Sequence, residues 1–215
     1  MIRNIVFDLG NVLISFRPAE FLEKNNYPAQ IREKLINDVF RSNEWILLDN
    51  GDISLAEAIE RITAKSSLES GEIARIFTKR TEIMFPIKEN AKLLPALKKE
   101  GFKLYYLSNF PADIFDEVKN GYYFFSHFDG GMISADVRAS KPGLKIFRIF
   151  LKKYSLDPGE CLYIDDSEAN VKSAESLGMT GMTTFGSDNI FEEVMDLAEH
   201  AKVNNAGLTC QKSKT

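Results

Sequence analysis

The sequence predicts an open α/β fold, with a parallel sheet covered by helices on both faces and a second, all-helical lobe beside it. Three observations carry that expectation. Ile5-Val6-Phe7, Phe102 to Leu107 and Leu162-Tyr163-Ile164 are short, apolar, β-prone runs, as strands buried on both faces present. Each run stops abruptly at polar residues, and stretches with apolar residues at helical spacing alternate with the runs. Between the first and second runs, residues 14 to 85 hold helical periodicity and no convincing strand, which places a separate lobe there.

In chain order, Asp8 ends the first run, and Gly10 and Asn11 supply turn chemistry. Pro18 suits the first turn of a helix through Phe21 and Leu22. Ile31, Leu35, Ile36 and Val39 recur at helical spacing. Asn50-Gly51-Asp52 marks a turn, and Ser54-Leu55-Ala56-Glu57 is a capping box opening a helix with Ile59 and Ile62. Ile73, Ile76, Phe77 and Ile83 continue the pattern, so the lobe reads as about four helices. Pro86 breaks it, and a helix over 88–99 is expected to close at Gly101. After Ser108-Asn109 and Pro111 come a short helix near 114–118 and the aromatic patch Tyr122-Tyr123-Phe124-Phe125, read as packing. Met132-Ile133-Ser134 reads as a short strand, and Ser140-Lys141-Pro142 precedes a helix through Ile146, Phe147 and Phe150. A helix over 168–177, a strand near Met182 to Phe185 and a last helix over 189–200 complete the expected core. The polar stretch 203–215, without periodicity, reads as a frayed tail.

Composition excludes some classes of function. The chain has 215 residues, 44% of them hydrophobic and 27% charged, as ordinary globular proteins have. A net charge of −4, with Lys and Arg dispersed among acidic residues, argues against a nucleic-acid surface. Two cysteines, Cys161 and Cys210, make neither a disulfide framework nor a zinc pattern, and Cys161 reads as core. The chain runs into its first strand without a signal-like segment, and no apolar run has membrane-span length. A cytoplasmic location is the expectation.

The ends of the three runs are Asp8, Ser108-Asn109 and Asp165-Asp166. In a parallel sheet they share one edge, where open α/β folds bind ligands. Singly, each is a turn or a helix cap. Jointly, three carboxylates on one edge repel one another unless a cation or protons compensate. An all-oxygen set of this kind suits Mg2+ with waters and a substrate phosphate. Lys141 brings a positive charge, and Ser108 and Asn109 offer donors to phosphate oxygens. A carboxylate attacking phosphorus forms an aspartyl phosphate, a known form of covalent catalysis, and an anion attacking an anion needs that countercharge.

With these motifs in order, the sequence resembles the haloacid dehalogenase-like (HAD) superfamily over roughly residues 1–200. The motifs are Phe-Asp8-Leu-Gly10-Asn-Val, Leu-Ser108-Asn109, Lys141-Pro142, and Ile-Asp165-Asp166 with Asn170. The resemblance implies a Rossmann-like core from residues 1–14 and 86–200 and a helical C1-type cap from residues 15–85. It implies Asp8 as nucleophile, Ser108 as phosphate binder, and Lys141 holding nucleophile and phosphate in place. Asp8, the Gly10 carbonyl and Asp166 would ligate magnesium, Asp165 would be a further or outer ligand, and Asn170 would orient the last motif.

One position departs from the pattern. Most phosphatases of the superfamily carry a second aspartate two residues after the nucleophile as general acid and base, and here that position is Gly10. The Asp-Leu-Gly-Asn form is similar to that of phosphatases acting on glucose 1-phosphate and resembles the phosphatase domain of soluble epoxide hydrolases. The expected function is a magnesium-dependent phosphatase for a small phosphorylated metabolite such as a hexose 1-phosphate. Either its leaving group needs no proton, or water or a cap residue moves one. Two other readings stand beside it: a weakly active HAD-like protein that binds a phosphorylated ligand or a protein, and a metal-independent 2-haloacid dehalogenase. Arg17 and Trp45 are candidates to line the site from the cap.

Overall fold

The computed structural model describes residues 1–184 and 190–197. Five parallel strands form the main sheet: β1 (Asn4–Phe7), β4 (Lys103–Ser108), β5 (Gly130–Ile133), β6 (Cys161–Asp165) and β7 (Thr180–Thr183). A small antiparallel pair joins β2 (Ile14–Phe16) to β3 (Met84–Pro86). The large sheet runs β5-β4-β1-β6-β7, so the chain builds outward from β1 to one edge and then crosses back to the other. Crossovers diverge where the strand order reverses beside β1, and a crevice opens at the carboxyl ends of the strands there.

Side-chain alternation explains the two covered faces. Ile5, Phe7, Leu104, Tyr106, Leu162 and Ile164 enter one apolar cluster, beneath Leu94, Leu97, Ile114 and Phe115. Val6, Tyr105, Leu107, Cys161 and Tyr163 point the other way, against Ile146, Phe147, Phe150 and Val171. Each large side chain so buried contributes roughly 1.5–3 kcal/mol. Tyr106 lies opposite Gly131 in register. A Cβ on Gly131 would stand 2.2 Å from the Tyr106 ring, so only glycine lets that ring cross.

The lobe has its own apolar cluster, from Phe21 and Leu22 through Trp45, Ile62 and Phe77 to Ile83. It holds more pieces than expected: helices Pro18–Lys24, Ala29–Leu35, Asn43–Asp49, Leu55–Thr63, Ser70–Thr78 and Arg80–Ile83, with a π turn over Ile36–Phe40. The capping box of Ser54 and Glu57 forms in full. The expectation of no strand over 14–85 is corrected by β2 and β3. Their Ile14↔Pro86 register ties the chain entering the lobe to the chain leaving it. The lobe also docks through buried Arg80, whose guanidinium forks onto both oxygens of Asp113 at the start of the helix Ala112–Gly121.

Other boundaries shift for local reasons. The helix expected over 88–99 is broken into Lys88–Ala91 and Leu93–Lys99. Pro95 has no N–H to reach back to Ala91, so the helical ladder is interrupted there. Ser134 opens the helical turn Ser134–Val137 instead of ending β5. In the aromatic patch Phe124 and Phe125 are buried while Tyr123 is exposed. Residues 190–197 are helical, and Ile190 and Val194 cover the sheet. Phe185, Asn189, residues 198–202 and the tail expected over 203–215, with Cys210, lie outside the described residues. Among the described residues no helix is long and apolar enough to cross a membrane.

Candidate active site

Asp8 is the first residue beyond β1. Its N–H donates to the Ile164 carbonyl at 2.8 Å, so β6 fixes where the carboxylate leaves the sheet. The side chain is buried, and Oδ1 accepts from the Leu9 N–H at 2.7 Å. The Lys141 ammonium sits 2.8 Å from the same oxygen and 2.7 Å from Asp165 Oδ2. Burial pushes the Asp8 carboxyl up to about 6; Lys141 opposes that rise and the Asp165 charge adds to it. Burial also works against a charged Lys141, but Asp8 and Asp165 together outweigh it and hold the ammonium above its ordinary range. Ser108, buried at the tip of β4, hydrogen-bonds Asp8 and lowers its pKa.

Asn109 spends its amide on the lysine. Its Nδ2 donates to the Lys141 carbonyl at 3.0 Å, and its Oδ1 accepts from the Lys141 N–H at 2.9 Å. This pair of bonds ties the Lys141 backbone to the tip of β4.

The two adjacent aspartates at the end of β6 are not equivalent. Asp165 is wholly buried and accepts from Lys141, the Tyr163 hydroxyl, the Ser167 N–H at 2.8 Å and Asn170 at 2.9 and 3.1 Å. Four donor groups use up a carboxylate's lone-pair sites. Asp166 is half-buried and accepts from Asn11 Nδ2 at 3.0 Å. Burial raises its pKa, with Asn11 lowering it and Asp165 raising it. One oxygen each of Asp8, Asp165 and Asp166 lies within 4.8 Å of the others. The structure thus brings Asp8, Ser108, Asn109, Lys141, Asp165, Asp166 and Asn170 to one edge.

A cleft of about 200 Å³ opens above them. Asp8, Gly10, Asn11, Asn109 and Asp166 form its polar floor. Ile14 and Phe16 of β2, Met84 of β3, Phe110, Pro111 and the lobe's Trp45 supply apolar wall. Trp45 is fixed by stacking on Phe77 at 5.4 Å and by Phe16 at 5.8 Å. Arg17 is not among the cleft's walls; it pairs with Glu20 at 2.9 Å beside a separate groove of the lobe.

Sequence reasoning missed three contributors. Asn11 reads as a turn residue and Tyr163 as core, yet both hold the carboxylates of β6. The third is Asp49, which also lines the cleft, one helical turn after Trp45 on the helix Asn43–Asp49. Its Oδ1 is buried with no hydrogen-bond partner among the described residues. Burial pushes its carboxyl up to about 8; Arg80 opposes that and Asp113 adds to it. The unfolded chain releases this proton near the ordinary carboxylate range and the folded chain near 8. Between those values the unfolded state holds fewer protons, so folding stability falls as pH rises. Asp49→Asn should therefore gain in melting temperature over wild type by a margin that widens from pH 5 to pH 8. A margin independent of pH would contradict the burial.

The parallel sheet carries a cluster of strand-tip carboxylates and a buried lysine on one edge, where open α/β folds place their sites. The chain belongs to the haloacid dehalogenase-like hydrolases, whose family model matches residues 2–178. Among its relatives is the sesquiterpene phosphatase astK of Aspergillus oryzae, 28% identical over 177 residues, 82% of this chain and 87% of that protein. The drimenol cyclase drtB of Aspergillus calidoustus is 25% identical over 201 residues, and the match spans 92% of this chain but 37% of the cyclase. A HAD family enzyme from Bacteroides thetaiotaomicron, solved with magnesium and inorganic phosphate, superposes with a TM-score of 0.70 at 23% identity. That match covers 89% of this chain and 98% of the other.

Proposed function

We propose that the protein is a magnesium-dependent phosphomonoesterase that works through an aspartyl phosphate on Asp8. The observation that carries the reading is the buried Lys141 ammonium bonded to Asp8, with the less committed Asp166 beside them. The donor set fits magnesium. Asp8, the Gly10 carbonyl and Asp166 would be its ligands, and Asp165, saturated by its four donors, would stand outside the inner sphere. When bound, the ion neutralises charge on the phosphoryl oxygens.

The chain's own residues divide the remaining work. Lys141 lowers the repulsion between the Asp8 carboxylate and an incoming phosphate dianion. Ser108 offers a hydroxyl to a phosphoryl oxygen, Asn109 holds the lysine, and Asn170 and Tyr163 hold Asp165. The lobe over residues 15–85 acts as the cap, closing the cleft and excluding water.

The walls favour an apolar alcohol as the leaving group. Phe16, Phe110, Met84 and Ile14 offer no hydrogen bond to sugar hydroxyls, Trp45 offers only its indole N–H, and Asn11 and Asn109 are engaged in holding the site. The sesquiterpene phosphatase relative is consistent with such a substrate. A hexose 1-phosphate is the second reading, favoured by the Asp-Leu-Gly-Asn motif and by the carboxyl of Asp49 in the cleft.

Phosphate release from p-nitrophenyl phosphate, n-decyl phosphate and a hexose 1-phosphate, with magnesium and with EDTA, tests the reading. Magnesium-dependent release that EDTA abolishes is expected, with kcat/KM higher for the decyl ester than for the sugar ester. Ligand binding without turnover would support the binding-protein alternative. Halide release from a 2-haloacid without magnesium would make it a dehalogenase.

A further inference from the structure

Hydrolysis of an unactivated phosphate ester needs a proton delivered to the departing oxygen, and a base to take one from the attacking water. Gly10 stands where a second aspartate could serve, and it has no side chain. Space is not the reason, since a Cβ there would meet nothing nearer than Asp8 Oδ2 at 3.9 Å. The missing group has to come from elsewhere in the cleft.

We propose that Asp49 is the proton carrier of this enzyme, supplying from the cap the acid and base that the nucleophile's own loop lacks. Its side chain lines the same cleft as Asp8 and Gly10, and its Oδ1 is buried without a partner among the described residues. Asn11, Asn109 and Asp165 in the same site, by contrast, are tied into hydrogen bonds. The backbone around Asp49 is anchored to the core. The Ser134 hydroxyl donates to the Asp49 carbonyl, and Gly51, at φ +71, packs against Ala135 where a Cβ would stand 3.0 Å from its carbonyl oxygen. The docking of the lobe on the core thus sets where the acid stands.

Burial favours a neutral Asp49 carboxyl at rest, against the Arg80 charge and with that of Asp113. Asp8 and Asp166 line the cleft with it, and the Arg80–Asp113 pair acts on it from the cap–core junction. With the carboxyl pushed up to about 8, Asp49 carries a proton at neutral pH.

As an Asp8 oxygen bonds to phosphorus, the bond from phosphorus to the ester oxygen breaks, and that oxygen takes the Asp49 proton to leave as the alcohol. The Asp49 carboxylate so formed then takes a proton from water as the water oxygen bonds to phosphorus. The bond between phosphorus and Asp8 breaks, releasing inorganic phosphate and restoring protonated Asp49 and ionised Asp8.

The proposal rests on the phosphatase reading, and leaving-group dependence separates the two. p-Nitrophenolate departs without a proton, whereas decanol does not. Asp49→Asn and Asp49→Ala should lose about 100- to 10,000-fold in kcat/KM for n-decyl phosphate. For p-nitrophenyl phosphate kcat/KM should fall by less than about tenfold, with a rapid burst of p-nitrophenolate before slow turnover as the aspartyl phosphate waits for a base. Equal losses on the two esters, or no loss on the decyl ester, would overturn the role of Asp49 and leave the phosphatase standing. Wild-type protein inert on both esters would overturn both.

Discussion

Asp8→Asn is expected to lose at least about 10,000-fold in turnover of every phosphate ester while keeping the fold. The loss follows from the atom, since an amide oxygen does not form the acyl phosphate that a carboxylate oxygen forms. The fold survives because the asparagine carbonyl can still accept from the Leu9 N–H, and Lys141 keeps Asp165 as its partner. Thermal unfolding and p-nitrophenyl phosphate assays on the same preparation separate the two effects. A variant that unfolds would point to a structural aspartate, and one that retains substantial activity would remove Asp8 from the chemistry.

Lys141→Met should damage both stability and activity. Lys141 is 4% exposed and stands between two buried carboxylates, so an apolar replacement of similar length leaves Asp8 and Asp165 facing each other without countercharge. Removing one partner of a buried ion pair costs about 3–5 kcal/mol, because the remaining charge is buried uncompensated. Part of the loss returns if Asp8 takes up a proton, which its raised pKa already favours. In the proposed mechanism that proton would also silence Asp8 as the attacking group. Urea unfolding of the variant should show the destabilisation near neutral pH and less of it at pH 5, where the carboxylates accept protons more readily. Unchanged stability at both pH values would mean that Lys141 does not bridge the two carboxylates.

The polar edge at the strand tips is legible because it is written in short contiguous stretches. Buried parallel strands announce themselves as apolar runs, so the sequence alone sets side by side the residues that end them, Asp8, Ser108 and Asp165. Lys141 was marked by the proline after it and by the helix that follows. What escaped was assembled from distant parts of the chain. β2 and β3 are three residues each, and their pairing of Ile14 with Pro86 leaves no local pattern. The break between Ala91 and Leu93 comes from the missing N–H of Pro95, which the apolar spacing over 88–99 does not register. The inequality of Asp165 and Asp166 depends on Tyr163 and Asn170 reaching one of them and Asn11 the other. Asp49 is one acidic residue among many, and only the docking of the lobe on Ser134 and Ala135 puts it over the cleft.

The covalent step on Asp8 is tested most directly by rapid acid quenching of the enzyme during turnover of p-nitrophenyl phosphate with magnesium, followed by mass spectrometry of its peptides. The account predicts one added phosphoryl group on the peptide that carries Asp8, present in wild type and absent in Asp8→Asn. Phosphate release by wild type with no such adduct, or an adduct on another residue, would contradict it.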